Sequence, residues 1–484
     1  MDCLEEVHVG SMNPERFRAV LGERFGEVER GMEDGRELFR DRSIWHINST
    51  SRGGGVAELL QSLLAYVRGI GLDSRWGVIH GEPAFFELTK RIHNLLHGSP
   101  GDGGELGAGE RELYERTLAP AAAELAELVT DRDIVFLHDP QTAGMIDALR
   151  PTGAVIVWRC HVGLDEPNSL AHTAWDFLRP YIEQADAYVF SRSDFAWEGI
   201  DRDRTFIIAP SIDVFSAKNQ DLDHETIEAI LGRIGLTNDD PDGSGTFVRH
   251  DGSPGRVVRA AEIHQEMPVP DGAQLVTQVS RWDRLKDPVG VLRGFAGQLD
   301  GGDPHLVLAG PATSAVADDP EGAEVLEEVL AARRALPEDH RARTHVVCLP
   351  MDDIEENAAM VNAIQRRSQI VVQKSLAEGF GLTVAEAMWK GKPVVAGARG
   401  GIQDQISDGI SGILLDDPAD LDEFAAAVRR LLDDEPLRVR MGSAARTEIE
   451  ANFLGTRHLL QYLWVLRVLL ERRGGRPSIA GGNP

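Results

Sequence analysis

Two carboxylates, Glu378 and Glu386, stand in EGFGLTVAE with seven residues between them, and Gly379-Phe380-Gly381 lies directly behind the first. An ionised carboxylate only accepts hydrogen bonds, so a pair of them suits a ligand rich in hydroxyls. The apolar run IVVQKSL (370–376) comes before the motif and AEAMWKGKPVVA follows. That order reads as a buried strand, a glycine turn and a helix N-terminus. The free N–H groups and positive dipole end of such a helix start suit a phosphate. Glu378 then lies in the loop and Glu386 about two turns into the helix, both turned toward one crevice. Hydroxyls and phosphate together describe a nucleotide sugar.

Arg281 and Lys286, in VSRWDRLKDP, follow another apolar run. Two cations fixed at a strand end could grip a diphosphate and neutralise charge on a departing nucleotide. The same residues also read as ordinary charges on a surface loop; the paired glutamates downstream favour the ligand role. In the first half of the chain, Gly53-Gly54-Gly55 separates a strand from a helix and would let phosphate or sugar oxygens approach the backbone. It matches neither a Walker loop nor G-x-G-x-x-G, and a tight turn explains it equally well. His161 follows AVIVWRC and could hydrogen-bond a sugar hydroxyl. His138, Asp139 and Gln141 in HDPQ could recognise a second sugar, or Asp139 could simply cap the next helix. Gly400, Gly401 and Gln403 follow PVVAGAR and could meet donor oxygens. Trp45, Trp158, Trp282 and Trp389 read as packing rather than stacking residues.

These residues need elements that bring them together. Short apolar runs recur at SIWHIN (43–48), WGVIHG (76–81), DIVFLHDP (133–140), AVIVWRCH (154–161), AYVFSR (187–192) and TFIIAPSID (205–213). A second series is QLVTQVSRWD (274–283), HLVLAG (305–310), HVVCLP (345–350), IVVQKS (370–375), PVVAG (393–397) and GILLD (412–416). Helical patterns separate the runs, which predicts parallel sheets with crossover helices. Many runs end in polar residues, and in open α/β sheets the ligand crevice lies at the carboxyl ends of strands. The stretch 237–255, rich in Gly, Pro and Asp, reads as an exposed loop near a domain junction.

The chain has 484 residues, which predicts two domains rather than one core. The expected boundaries are 1–215, an interdomain segment 216–272, and 273–453, with a final helix over 454–472. Lys+Arg 50 against Asp+Glu 78 gives a net charge of −28, which argues against nucleic acid or an anionic membrane as partner. The three cysteines are far apart, so neither a disulfide framework nor a metal-ligand spacing is expected, and a cytoplasmic setting fits. No signal peptide or membrane span is expected.

EGFGLTVAE resembles the motif of the retaining nucleotide-sugar glycosyltransferases of the GT-B fold (glycosyltransferase family 4), which include glycogen- and sucrose-type synthases. The strings HINSTSRGGGVAELL, HDPQ, PSIDVFSAKNQDL, VSRWDRLKDPVGV and VVQKSLAEGFGLTVAEAMWKGKPVVAG narrow the resemblance to trehalose glycosyltransferring synthases and retaining trehalose phosphorylases, over about 44–470. It implies two Rossmann-like domains facing across a cleft. It implies that Glu386 binds the nucleotide ribose and Glu378 the donor sugar. Gly379, Phe380, Gly381 and Leu382 are then the donor-binding turn. Arg281 and Lys286 hold the diphosphate, Gly54 and Gly55 approach the phosphate or reacting sugar, and His161 contacts the donor sugar. Asp139 and Gln141 fall on the acceptor side. The C-terminal helix is implied to cross back onto the first domain. The activity implied is transfer of glucose from a nucleoside-diphosphate glucose, UDP- or ADP-glucose, to glucose with retention, giving α,α-trehalose with no metal and no further cofactor. A homodimer is one state open to such a chain. The competing readings are phosphorolysis of trehalose and a non-catalytic sugar-nucleotide-binding protein. The segment 237–270 and VGLDEPN after His161 depart from the family pattern, and the second bears on acceptor choice.

Overall fold

The computed structural model describes residues 3–51, 55–238, 245–298, 304–313 and 320–474. The chain divides into two compact units, one of residues 1–211 with 453–484 and one of residues 212–452.

The first unit is built on a seven-stranded sheet. Its strands are β1 (Leu4–Val7), β2 (Ser43–Asn48), β3 (Asp73–Ile79), β4 (Ile134–His138), β5 (Val155–Cys160), β6 (Ala187–Phe190) and β7 (Thr205–Ile207), in the order β1-β3-β2-β4-β5-β6-β7. The six strands from β2 to β7 are parallel, as their apolar runs predict. β1 pairs antiparallel to β3 at the edge and escaped the sequence reading. Its four residues, LEEV, are too few to show a period, and an edge strand needs only one partner. The helices Pro83–Leu96, Ala108–Leu128 and Ser169–Ile182 lay Phe85, Ile92, Leu125 and Leu178 on one face of the sheet. The helix Gly455–Arg473 belongs to this unit. It packs beside Phe25–Leu38 at glycines: a Cβ on Gly31 would come within 2.2 Å of Leu460, and one on Gly35 within 3.1 Å of Leu463. Arg467 pairs with Asp34 at 2.8 Å.

In the second unit the helix His224–Ile234 is followed by a small antiparallel hairpin, β8 (Thr246–Val248) and β9 (Pro254–Arg256). Over 246–256 this corrects the expectation of an exposed loop. Phe247 is buried there, and one apolar anchor suffices to hold a short hairpin against a core. Residues 239–244 lie outside the described residues. The main sheet comprises β10 (Glu262–His264), β11 (Gln274–Val279), β12 (Pro304–Pro311), β13 (Thr344–Leu349), β14 (Ile370–Gln373), β15 (Val394–Gly397) and β16 (Ile413–Leu415). Its order, β10-β13-β12-β11-β14-β15-β16, is a doubly wound Rossmann-like one with an antiparallel edge strand added at β10. Alternation along β11 fills both faces: Val276 joins the core beneath the helices Pro288–Gln298 and Leu421–Asp433, while Leu275 and Val279 join that beneath His224–Ile234 and Ile354–Arg367. Strand order reverses between β2 and β4 in the first sheet and between β11 and β14 in the second. The segments leaving the carboxyl ends of those four strands are where ligands of such sheets bind.

No helix among the described residues is long and apolar enough to cross a membrane.

Candidate active site

In the second unit, the segments after β11 and β14 are tied together. Asp283 accepts from the Leu285 N–H at 2.8 Å and closes the turn Arg284–Lys286. The Gln278 amide holds the Lys286 carbonyl at 2.7 Å, and the Leu376 N–H donates to the Leu285 carbonyl at 2.8 Å. These bonds bring Lys286 Nζ to 2.6 Å from Glu378 Oε2. Ser375 donates to the same oxygen at 3.1 Å. Two predicted site residues 92 apart in sequence are therefore in contact. Arg281 leaves the same strand end half-exposed, with Asp283 3.2 Å from its guanidinium.

The glycines of the motif have backbone reasons. Gly381 has φ 85° and opens the helix Leu382–Trp389. Gly400 has φ 54°, and a Cβ there would lie 1.8 Å from the Glu378 carbonyl oxygen. The Gly401 N–H donates to the Gly379 carbonyl at 2.9 Å, and the Gln405 amide donates to the Phe380 carbonyl at 2.6 Å. Gly400 and Gly401 thus stand in the turn that braces the Glu378 loop from behind, and Gln403 lies on the short helix Ile402–Gln405 that follows. Because the helix starts at Leu382, Glu386 sits about one turn in, not two. It is buried, and Lys218 Nζ stands 3.4 Å from its Oε1. The indole of Trp389 and the ammonium of Lys390 anchor Asn219, at 3.1 and 3.0 Å, which holds the Lys218 segment on this helix.

In the first unit, Gly55 begins the helix Gly55–Gly69; Gly53 and Gly54 lie outside the described residues. Asp139 takes the left-handed conformation, φ 62°, directly after β4. Its carboxylate accepts from the His161 N–H at 2.7 Å and its carbonyl from the Trp158 indole at 3.1 Å, so it links the ends of β4 and β5. Burial pushes the Asp139 carboxyl up to about 7, against the pull of the His161 N–H. Gln141 follows, half-buried, on the short helix Asp139–Thr142. His161 sits against His138, 3.1 Å between ring nitrogens, and His138 against His46 at 3.0 Å. Trp45, Trp158, Trp282 and Trp389 are all buried, in keeping with packing.

Sequence reasoning passed over Lys218, Ser375 and Arg159. Lys218 lies inside PSIDVFSAKNQDL, 168 residues before the carboxylate it meets, and no local spacing carries such a pair. Arg159 did leave a signal, a lone cation inside the apolar strand VIVWRC. Among the described residues no cluster of three or more His, Cys, Asp or Glu could hold a metal ion.

Comparison with known proteins follows the same division. Residues 46–197 match the family model described as trehalose synthase, N-terminal domain, and residues 260–448 match glycosyl transferases group 1. The trehalose synthase of Pyrococcus horikoshii is 34% identical over 96% of this chain and 99% of its own. The chain belongs to the trehalose synthase family. A trehalose phosphorylase of Pleurotus sajor-caju is 28% identical over 85% of this chain but only 56% of its own. Among solved structures, a trehalose-6-phosphate synthase (OtsA) superposes with a TM-score of 0.65 at 13% identity, covering 89% of this chain and 99% of that one. The fold is that of the GT-B glycosyltransferases. As a member of the trehalose synthase family, this chain is a trehalose-related glycosyltransferase, and its paired glutamates lie in the half that matches the group 1 transferases.

Proposed function

We propose that the protein transfers glucose from a nucleoside-diphosphate glucose, UDP- or ADP-glucose, to glucose with retention, forming α,α-trehalose. The observation that carries this reading is the contact of Lys286 with Glu378 on segments leaving β11 and β14, with the buried Glu386 on the helix that follows. In this reading Glu386 takes the ribose hydroxyls and Glu378 a hydroxyl of the donor sugar. Lys286 and Arg281 stabilise the diphosphate as it leaves, and the N–H groups at Gly381 and Leu382 add to that field. Lys286 and Lys218, each paired with a carboxylate, exchange part of that pairing for phosphate or ribose oxygens when the donor binds. His161 meets the donor sugar, Gly54 and Gly55 the phosphate side, and Asp139 and Gln141 the acceptor. The departing phosphate oxygen accepts the acceptor's proton on the same face, so no protein nucleophile is needed; positioning and charge stabilisation supply the rate.

The match to trehalose phosphorylases supports a second reading, in which the same cations take free phosphate and release glucose 1-phosphate. Incubation with trehalose plus a nucleoside diphosphate, and separately with trehalose plus inorganic phosphate, separates them. Nucleotide sugar formed only in the first mixture is expected. Turnover in the phosphate mixture alone overturns the proposal.

A further inference from the structure

A run of buried ring nitrogens in the first unit leads to His161. His46 Nδ1 lies 3.0 Å from His138 Nε2, and His138 Nδ1 lies 3.1 Å from His161 Nε2. Arg159 Nε donates toward the same His161 Nε2 at 3.4 Å. The second arm of that guanidinium is held by the Ile208 carbonyl at 2.7 Å, and its plane faces the Tyr462 ring 5.7 Å away. Arg159, His138 and His46 are buried; His161 alone is partly exposed.

An arginine side chain has donors only. Where Arg159 points at His161 Nε2, that nitrogen must carry its lone pair. His161 then carries its proton on Nδ1, His138 donates from Nδ1 to His161, and His46 donates from Nδ1 to His138. One fixed cation sets the direction of all three rings. The geometry points to Arg159, His138 and His46 as positioning residues that hold His161 as a neutral imidazole with its proton on Nδ1, presenting a donor and no charge to the sugar. Transfer of a glycosyl group passes through a state with positive charge at the anomeric carbon. A neutral donor can hold a sugar hydroxyl there without repelling that charge. Burial, with Arg159 beside it, drives His161 well below the ordinary histidine range, and burial holds His46 down to about 3. The other titratable and charged groups facing the array are Asp139, Arg457, His458 and Tyr462.

This inference rests on the proposed contact of His161 with the donor sugar, but its first test does not. Long-range proton–nitrogen correlation spectra of the full chain labelled with [15N]histidine, with His161 assigned by its loss in His161→Gln, report which ring nitrogen carries the proton. The expected result is an Nδ1–H tautomer for His161 that persists from about pH 5 to about 8, whichever donor the enzyme uses. A proton on Nε2, or an imidazolium within that range, overturns the inference and leaves the proposed function standing. The second test is kinetic. His138→Gln keeps one donor and one acceptor, and His138→Phe has neither. We expect His138→Phe to lower kcat about tenfold or more with KM for the acceptor little changed, and His138→Gln to restore most of it. Equal kcat in the two variants, both folded, contradicts the positioning role.

Discussion

At the scale of single residues, Glu386 and Lys286 carry the sharpest expectations. Glu386 is buried with Lys218 beside it, so removing the carboxylate takes away a partner of Lys218 as well as the proposed ribose contact. Glu386→Ala is expected to weaken binding of UDP- or ADP-glucose by about 10- to 100-fold, the value of one or two charge-assisted hydrogen bonds. Titration calorimetry reads this directly, and unchanged affinity removes Glu386 from the donor site. Lys286→Met deletes a charge that the proposal uses most when the diphosphate departs. A loss of about 10²- to 10³-fold in kcat, larger than the change in donor affinity, is expected from steady-state kinetics. The paired glutamates were legible in the sequence because they sit in one local motif with its glycines. Their partners were less so. Lys286 could be read from a strand end, whereas Lys218 reaches Glu386 only through the fold; Arg159 lies two residues before His161, but the array of His46, His138 and His161 that it meets depends on the pairing of β2, β4 and β5, which no local pattern encodes.

At the scale of elements, the Glu378 loop depends on a second turn behind it. The Gly400 Cα faces the Glu378 carbonyl too closely for any side chain, and its φ is positive. Gly400→Ala is therefore expected to cost about 1–3 kcal/mol in denaturant unfolding of the second unit and to lower kcat as well, since the loop that carries Glu378 must shift. Full activity with unaltered stability shows that the loop does not need this close approach. The central strands could be read because β-branched and apolar runs end in polar residues, as in IVVQKS and AVIVWRCH. β1 and β10 could not: LEEV and EIH are short, charged and paired on one side only. The β8–β9 hairpin hid within a composition that otherwise signals loop, because its single buried anchor, Phe247, makes no period.

At the scale of the whole molecule, the first unit buries histidines in neutral form. His46, His138, His161 and His458 are all driven below the ordinary value of 6.5, chiefly by burial. The unfolded chain therefore binds more protons than the folded one below about pH 6.5, and stability falls as pH falls. Asp139, raised to about 7 by burial, acts in the opposite sense between about pH 4 and 7, one group against four. A net uptake of at least one proton on unfolding gives a slope of about 1.4 kcal/mol per pH unit. Urea midpoints measured between about pH 5 and 7 by tryptophan fluorescence check it. Six of the eight tryptophans, Trp45, Trp76, Trp158, Trp175, Trp197 and Trp464, lie in this unit. A midpoint that is flat or rises on acidification contradicts the neutral cluster.

The central claim is that an activated glucose is moved, with its configuration kept, onto another glucose. The direct measurement supplies UDP- or ADP-glucose labelled with carbon-13 at the anomeric position, together with unlabelled glucose, and follows the label by NMR. The account predicts one labelled α-anomeric carbon in α,α-trehalose and stoichiometric nucleoside diphosphate. Label appearing only in free glucose, or in a β-linked product, contradicts it.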